Sequence, residues 1–248
     1  MPPVQAGKFH LGGNFLKVII CDDYKSQSAA GADIIEKIVR EKPDCCLGLA
    51  TGSSPVGMYQ ELARRCREEG LDFSKVHTVN LDEYIGLEPT HDQSYRYFMD
   101  SNLFDHINID KKNTYVAKGT GDIDANIAEF QAVIANSCVE LQVLGVGPDG
   151  HLAFNEPGKE LYWHAHKEVL DESTIDANAR FFASRDEVPR YAVTMGIGEI
   201  MMAKRLLMIL SGSNKADAAR QVHTAASGFL HGRRDCAGQQ RQAEQQRQ

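Results

Sequence analysis

A chain of 248 residues with 42% hydrophobic content can bury a substantial core, as one large domain or two small ones. Its formal net charge of −7 argues against nucleic acid or an anionic membrane as the main partner, but leaves room for a small anion in a local positive pocket. There is no run of eighteen apolar residues, and the opening "MPPVQAGKFHLGGN" lacks the apolar stretch of a signal peptide, so a cytoplasmic protein without a membrane span is expected.

Residues 1–13 read as a disordered leader. "FLKVII" (15–20) reads as a strand, and residues 25–42 carry Ala29, Ala32, Ile35, Ile38 and Val39 at helical spacing. "CLGLA" (46–50) is a strand, followed by a helix from Pro55 to about Glu69. "KVHTVNL" (75–81) is a strand, 92–104 and 122–136 look helical, and "LQVLGV" (141–146) is a strand. "YAVTM" (191–195) and "RLLMILS" (205–211) are two more, with a helix between them and another after 213. This alternation predicts an α/β fold of the doubly wound kind, a mostly parallel sheet with helices on both faces. In such sheets ligands bind at the carboxyl ends of the strands. The Gln- and Arg-rich stretch 225–248 has almost nothing apolar to bury and reads as disordered. The six cysteines, Cys21, Cys45, Cys46, Cys66, Cys138 and Cys236, form no Cys-x-x-Cys motif and are expected to be reduced.

Four strand ends carry residues with chemical potential. In "LGLATGSSPVGMY" the strand runs through Thr51, Gly52, Ser53 and Ser54 into a helix. Ser54 suits the N-cap and Pro55 the first turn. Gly52 permits the sharp turn. A helix N-terminus with free N–H groups and hydroxyls suits a phosphate, although the Gly-Lys-Ser/Thr of a P-loop is missing. "NLDEYIGL" places Asp82 and Glu83 just past a strand, and only one of these neighbours can face a given crevice. "LGVGPDGHLAFNEPG" gathers Asp149, His151 and Glu156 within eight positions. A histidine can pass protons in either direction, and either carboxylate could orient His151 and hold its proton. A metal would need a third or fourth converging ligand, and no second histidine lies nearby, so no metal is expected. "MILSGSNKADAAR" puts Lys215 in the first turn of a helix, where a bound anion would offset the unfavourable dipole. Arg180 in "ANARFF" is an anion clamp by residue type.

These pieces fit proton transfer on a small phosphorylated molecule, with neither a Gly-x-Ser-x-Gly nucleophile nor a dinucleotide fingerprint. "LGLATGSSP", "VNLDEYIGL", "DQSYRYFM", "LGVGPDGHLAFNEPG", "DESTIDANARFF" and "GSNKADA", in this order and spacing, resemble the glucosamine-6-phosphate deaminase family over roughly residues 15–224. The resemblance implies a Rossmann-like fold with a small lid over about 158–188, within a single domain spanning 14–224. It implies conversion of glucosamine 6-phosphate and water to fructose 6-phosphate and ammonia, with no cofactor. Carried onto this chain, Asp82 would move the C2 proton to C1. His151 would open the pyranose ring, with Asp149 and Glu156 relaying its proton. Thr51, Gly52, Ser53, Ser54, Arg180 and Lys215 would hold the phosphate. Shorter members of the family are often monomers, and a monomer is expected here.

The chain departs from the family in two places. Lys159 and Glu160 follow Gly158 where hydroxyl residues are usual, which implies no allosteric activation, and Tyr162 and Trp163 fall in the segment resembling the lid. At the C-terminus the family's final apolar strand is replaced by "GFLHGRRDCAGQQRQAEQQRQ", and loss of a sheet strand predicts reduced stability. A 6-phosphogluconolactonase would have a Thr-Ala-Ser-like run after the histidine, where this chain has Leu152 to Pro157. A phosphosugar-sensing regulator would carry a DNA-binding helix-turn-helix, for which the leader is too short.

Overall fold

The computed structural model describes residues 6–11, 14–147, 150–158 and 160–220, with side chains from Lys17 onward except Asn214. In chain order the elements are β1 (Ala6–Leu11), β2 (Asn14–Ile19), α1 (Tyr24–Glu41), β3 (Cys46–Leu49), α2 (Ser53–Glu69), β4 (His77–Asn80), β5 (Asp82–Tyr84) and α3 (Tyr95–Asn102). There follow β6 (Thr114–Tyr115), α4 (Ile123–Asn136), β7 (Val139–Leu144), β8 (His166–Val169), α5 (Glu172–Asn178), β9 (Tyr191–Thr194), α6 (Ile197–Ile200) and β10 (Leu206–Met208).

Five strands form the parallel sheet expected from the alternating pattern, in the order β10-β7-β3-β4-β6. From β3 the chain moves outward through β4 to β6. It then returns across the sheet to β7 and continues to β10. The reversal falls between β3 and β7, the switch point where such sheets open a crevice at their carboxyl ends.

Two strands read as part of this sheet lie elsewhere. β9 pairs antiparallel with both β5 and β8 in a separate three-stranded sheet. β2 pairs antiparallel with β1 in a hairpin. The expectation of a disordered leader over 1–13 therefore fails for 6–11, which find backbone partners in the strand that follows. The stretch 225–248 lies outside the described residues.

α1 begins at a capping box. Asp23 Oδ1 accepts the Ser26 amide at 2.7 Å, and Ser26 Oγ accepts the Asp23 amide at 3.2 Å. Its inner face buries Ala32, Ile35, Ile38 and Val39, as the spacing predicts, and Ala29 is only partly buried. α1 packs on α2, and Arg65 ties them. Its guanidinium reaches Asp33 at 2.7 Å, Glu36 at 2.6 Å and Glu61 at 2.8 Å.

The main core gathers the inward residues of the parallel strands with α1 to α4, around Tyr59, Phe73, Phe104 and Phe130. A second, smaller core joins Tyr84, Leu87, Phe154, Leu170, Ile175, Val188 and Ala192. Cys21, Cys45, Cys46 and Cys66 carry free thiols as expected, whereas Cys138 is disulfide-bonded, against the expectation that every cysteine is reduced.

Candidate active site

The loops predicted to carry chemistry follow β3, β4, β7 and β10, four neighbouring strands of the parallel sheet. Because all four run the same way, these loops emerge at one carboxyl edge.

After β3, α2 starts at Ser53 and not at Pro55. Its N-cap is Gly52, at φ +92°, where the expected cap was Ser54. The positive φ turns the strand sharply into the helix, and space around Gly52 is open. Gly52 and Ser53 are exposed and Thr51 and Ser54 half-buried, so this helix end faces solvent. Pro55 lacks an N–H, which leaves the Ser53 and Ser54 amides and hydroxyls as donors at the turn.

After β4, Asp82 and Glu83 are both buried, and the structure separates their work. Glu83 folds onto the start of α3, where its carboxylate accepts the amides of Tyr84 (2.8 Å), Tyr95 (2.9 Å) and Arg96 (3.0 Å). Ser94, the N-cap, takes the Tyr97 amide at 3.0 Å, so the two side chains divide the free donors of the first turn. Asp82, the residue expected to act as base, takes none of these amides. Burial pushes it up to about 8, and the neighbouring Glu83 charge adds to the shift. Burial also raises Glu83, against the pull of its three amide donors.

After β7, Gly150 at φ +96° and Ala153 at φ +55° bend the chain tightly around His151. His151 Nδ1 lies 3.9 Å from Glu156 Oε2, and the Glu156 side chain is 6% exposed. The other oxygen, Oε1, accepts the Asp171 amide at the start of α5 at 3.2 Å. Asn155 donates to the carbonyls of Leu152 (3.0 Å) and Met195 (2.9 Å). Asn155 Oδ1 and Glu156 Oε2 are buried acceptors with no hydrogen-bond donor among the described residues. Asp149 lies outside the described residues.

β9 joins the two halves. Thr194 stands opposite Asp82 in the β5–β9 ladder, and its hydroxyl accepts the Phe154 amide at 3.1 Å. The Met195 amide donates to the Leu81 carbonyl at 2.7 Å, while the Met195 carbonyl holds Asn155. The His151 loop is therefore stitched to the strand that carries Asp82. Aromatic contacts line the same junction. Tyr84 lies 5.0 Å from Tyr95, 5.1 Å from Phe154 and 6.0 Å from Phe182 of the segment after α5.

After β10, Lys215 sits in a short 3₁₀ turn over 213–215, and its Nζ donates to the Val146 carbonyl at 2.6 Å. The loops after β10 and β7 thereby meet. Arg180 is exposed, with its guanidinium 4.6 Å over the Phe181 ring, so its described contact lies inside the segment expected to be the lid. In that segment Tyr162 and Trp163 are exposed, and the Trp163 carbonyl accepts the Glu199 amide at 3.0 Å. Lys159 lies outside the described residues.

Sequence reading brought Asp82, His151, Glu156, the 51–54 turn and Lys215 to one edge. It missed Thr194 and Met195, and it missed that Glu83 serves α3. A threonine inside the apolar run "YAVTM" was the one available signal for Thr194. Nothing local links Glu83 to Tyr95 and Arg96, twelve and thirteen residues further on. Among the described residues no group of three or more His, Cys, Asp or Glu could hold a metal ion, and no helix is long and apolar enough to cross a membrane.

Residues 25–230 match the family described as glucosamine-6-phosphate isomerases/6-phosphogluconolactonase. A glucosamine-6-phosphate deaminase of Clostridium perfringens is 49% identical over 209 residues, covering 84% of this chain and 86% of its own length. A solved monomeric glucosamine-6-phosphate deaminase superimposes with a TM-score of 0.80 at 38% identity, covering 85% of this chain and 87% of that one. The 6-phosphogluconolactonase of Thermotoga maritima shares the fold at a TM-score of 0.63 and 20% identity, covering 83% and 90%.

Proposed function

Because this chain belongs to the family of glucosamine-6-phosphate isomerases and 6-phosphogluconolactonases, we infer how its own residues carry out the deaminase reaction of its relatives. The chain is an enzyme of amino-sugar metabolism. It converts glucosamine 6-phosphate and water to fructose 6-phosphate and ammonia. The lactonase reading is not favoured, since the lactonase structures share little more than the fold.

The assignment of roles is our own and rests on one observation: Thr194 and Met195 hold the His151 loop against the strand that bears Asp82. His151, with Glu156 beside it, opens the pyranose ring by moving a proton from the C1 hydroxyl to the ring oxygen. Asp82 then takes the C2 proton of the open aldose and returns it at C1, while the C1 oxygen takes up a proton that the C2 ammonium gives up. The product is a C2 iminium, to which water adds, and ammonia leaves as the ketone forms. A buried carboxyl raised toward neutrality suits the Asp82 step, because it is a stronger base than an ordinary aspartate and can both take and give the proton. Each positioned group of this kind contributes about 10²–10⁴-fold. The 51–54 turn and Lys215, with Arg180 as a further cation, hold the phosphate and so orient the reacting carbons. Asp149 joins the proton relay by its place in the motif.

We further propose a cytoplasmic monomer without a cofactor, in keeping with the monomeric relative. The absence of allosteric activation follows from the Lys-Glu pair at 159–160. The test is ammonia release from glucosamine 6-phosphate beside galactosamine 6-phosphate and 6-phosphogluconolactone. Release from the first alone supports this reading; turnover of only the lactone overturns it.

A further inference from the structure

The first turn of α1 contacts both of the loops assigned to the phosphate. The Tyr24 hydroxyl donates to the Ser53 carbonyl at 2.8 Å and accepts the Gly57 amide at 2.8 Å. Ser53 C=O and Gly57 N–H are the two ends of an i to i+4 pair in the first turns of α2. A side chain from another helix therefore braces the turn that presents Ser53 and Ser54. The two helices meet there with no room to spare. A Cβ on Gly57 would lie 2.3 Å from Ser28 Oγ and 2.8 Å from Tyr24 Cε1. Three residues after Tyr24, Gln27 Nε2 donates to the Leu210 carbonyl at 2.5 Å, just past β10 and five residues before Lys215.

The Tyr24 ring is 42% exposed, so core packing does not explain it well. Its hydroxyl makes the specific contacts. We propose that Tyr24 is a positioning residue for the phosphate end of the substrate. Its bridging hydroxyl fixes the first turn of α2 in the orientation that meets the phosphate, while Gln27 holds the loop leading to Lys215 in register with it. The inference rests on the assignment of the phosphate to residues 51–54 and Lys215.

The test uses the full chain, with KM and kcat for ammonia release from glucosamine 6-phosphate and inorganic phosphate as the competing probe. Tyr24→Phe removes only the hydroxyl and keeps the ring. The expected result is a KM and a phosphate inhibition constant both raised about 3–10-fold, the worth of about one hydrogen bond, with kcat within about twofold. Gln27→Leu is expected to shift the same two constants in the same direction. A lower melting temperature with both constants unchanged would overturn the proposal and leave Tyr24 as a helix brace. Ser54→Ala separates the two levels of the argument. If it weakens phosphate inhibition while Tyr24→Phe does not, the phosphate assignment stands and the role of Tyr24 falls. If Ser54→Ala leaves phosphate inhibition untouched, the assignment fails and the proposal fails with it.

Discussion

The Thr194 hydroxyl accepts the Phe154 amide at 3.1 Å, and Thr194 pairs with Asp82 across the β5–β9 ladder. One buried side chain thus registers the His151 loop against the strand carrying the proposed base. Replacing Thr194 by Val keeps the shape but leaves the buried Phe154 N–H without an acceptor. The expected cost is about 1–3 kcal/mol in chemical denaturation, and kcat should fall more than KM rises.

Asp82→Asn should lower kcat by about 10²–10⁴-fold while inhibition by inorganic phosphate stays at the parental value. Lys215→Ala should do the reverse, raising KM and weakening phosphate inhibition with a smaller change in kcat. Parallel losses of affinity in both variants would break this division between chemistry and anchoring.

Burial raises the Asp82 carboxyl in the folded state to about 8, above the ordinary aspartate range. Between roughly pH 4 and pH 8 the folded state therefore binds more protons than the unfolded chain. The stability this group contributes is fully present below about pH 4 and is lost as pH rises through 8. Asp82→Asn, which cannot ionise, should melt with the parent at pH 4 and above it at pH 9. The kcat/KM of the parent should climb through the same region as Asp82 becomes the free base. A flat profile from pH 6 to 9 would remove Asp82 from that role.

Glu83→Gln should destabilise the protein by about 1–3 kcal/mol, because the amide group that replaces one oxygen turns a donor toward the Arg96 N–H. Urea denaturation measures the loss. Loss of the Glu83 charge should also move the rising limb of kcat/KM to lower pH, since that charge helps hold the Asp82 proton.

Arg65→Met tests the cluster between α1 and α2. Arg65 is nearly buried, with a 9% exposed side chain, but Asp33 is 68% exposed and needs no partner. We expect a loss of about 2 kcal/mol, below the ~3–5 kcal/mol of breaking a fully buried pair. A melting curve identical to the parent would show that the methionine stem replaces the guanidinium fully.

Local pattern carried much of this protein into view. Alternating apolar runs and helical spacing disclosed the α/β class and most elements, though not β1, β5, β6, β8 or α5, because the elements that were read depend on contacts within a few residues. Turn and strand-end chemistry marked Thr51 to Ser54, Asp82, His151, Glu156 and Lys215, because glycines and ionisable groups after strands are visible in the chain itself. Pairing was not visible. "FLKVII" and "YAVTM" read equally well as strands of the parallel sheet, and only backbone hydrogen bonds to β1, β5 and β8 remove them from it. The same holds for the division of labour between Asp82 and Glu83. Two adjacent acids look alike in sequence, and what distinguishes them is that the amides of Tyr95 and Arg96 arrive at one of them through the packing of α3. Burial, which raises the Asp82 carboxyl, is likewise a property of the assembled cores and belongs to no stretch of sequence.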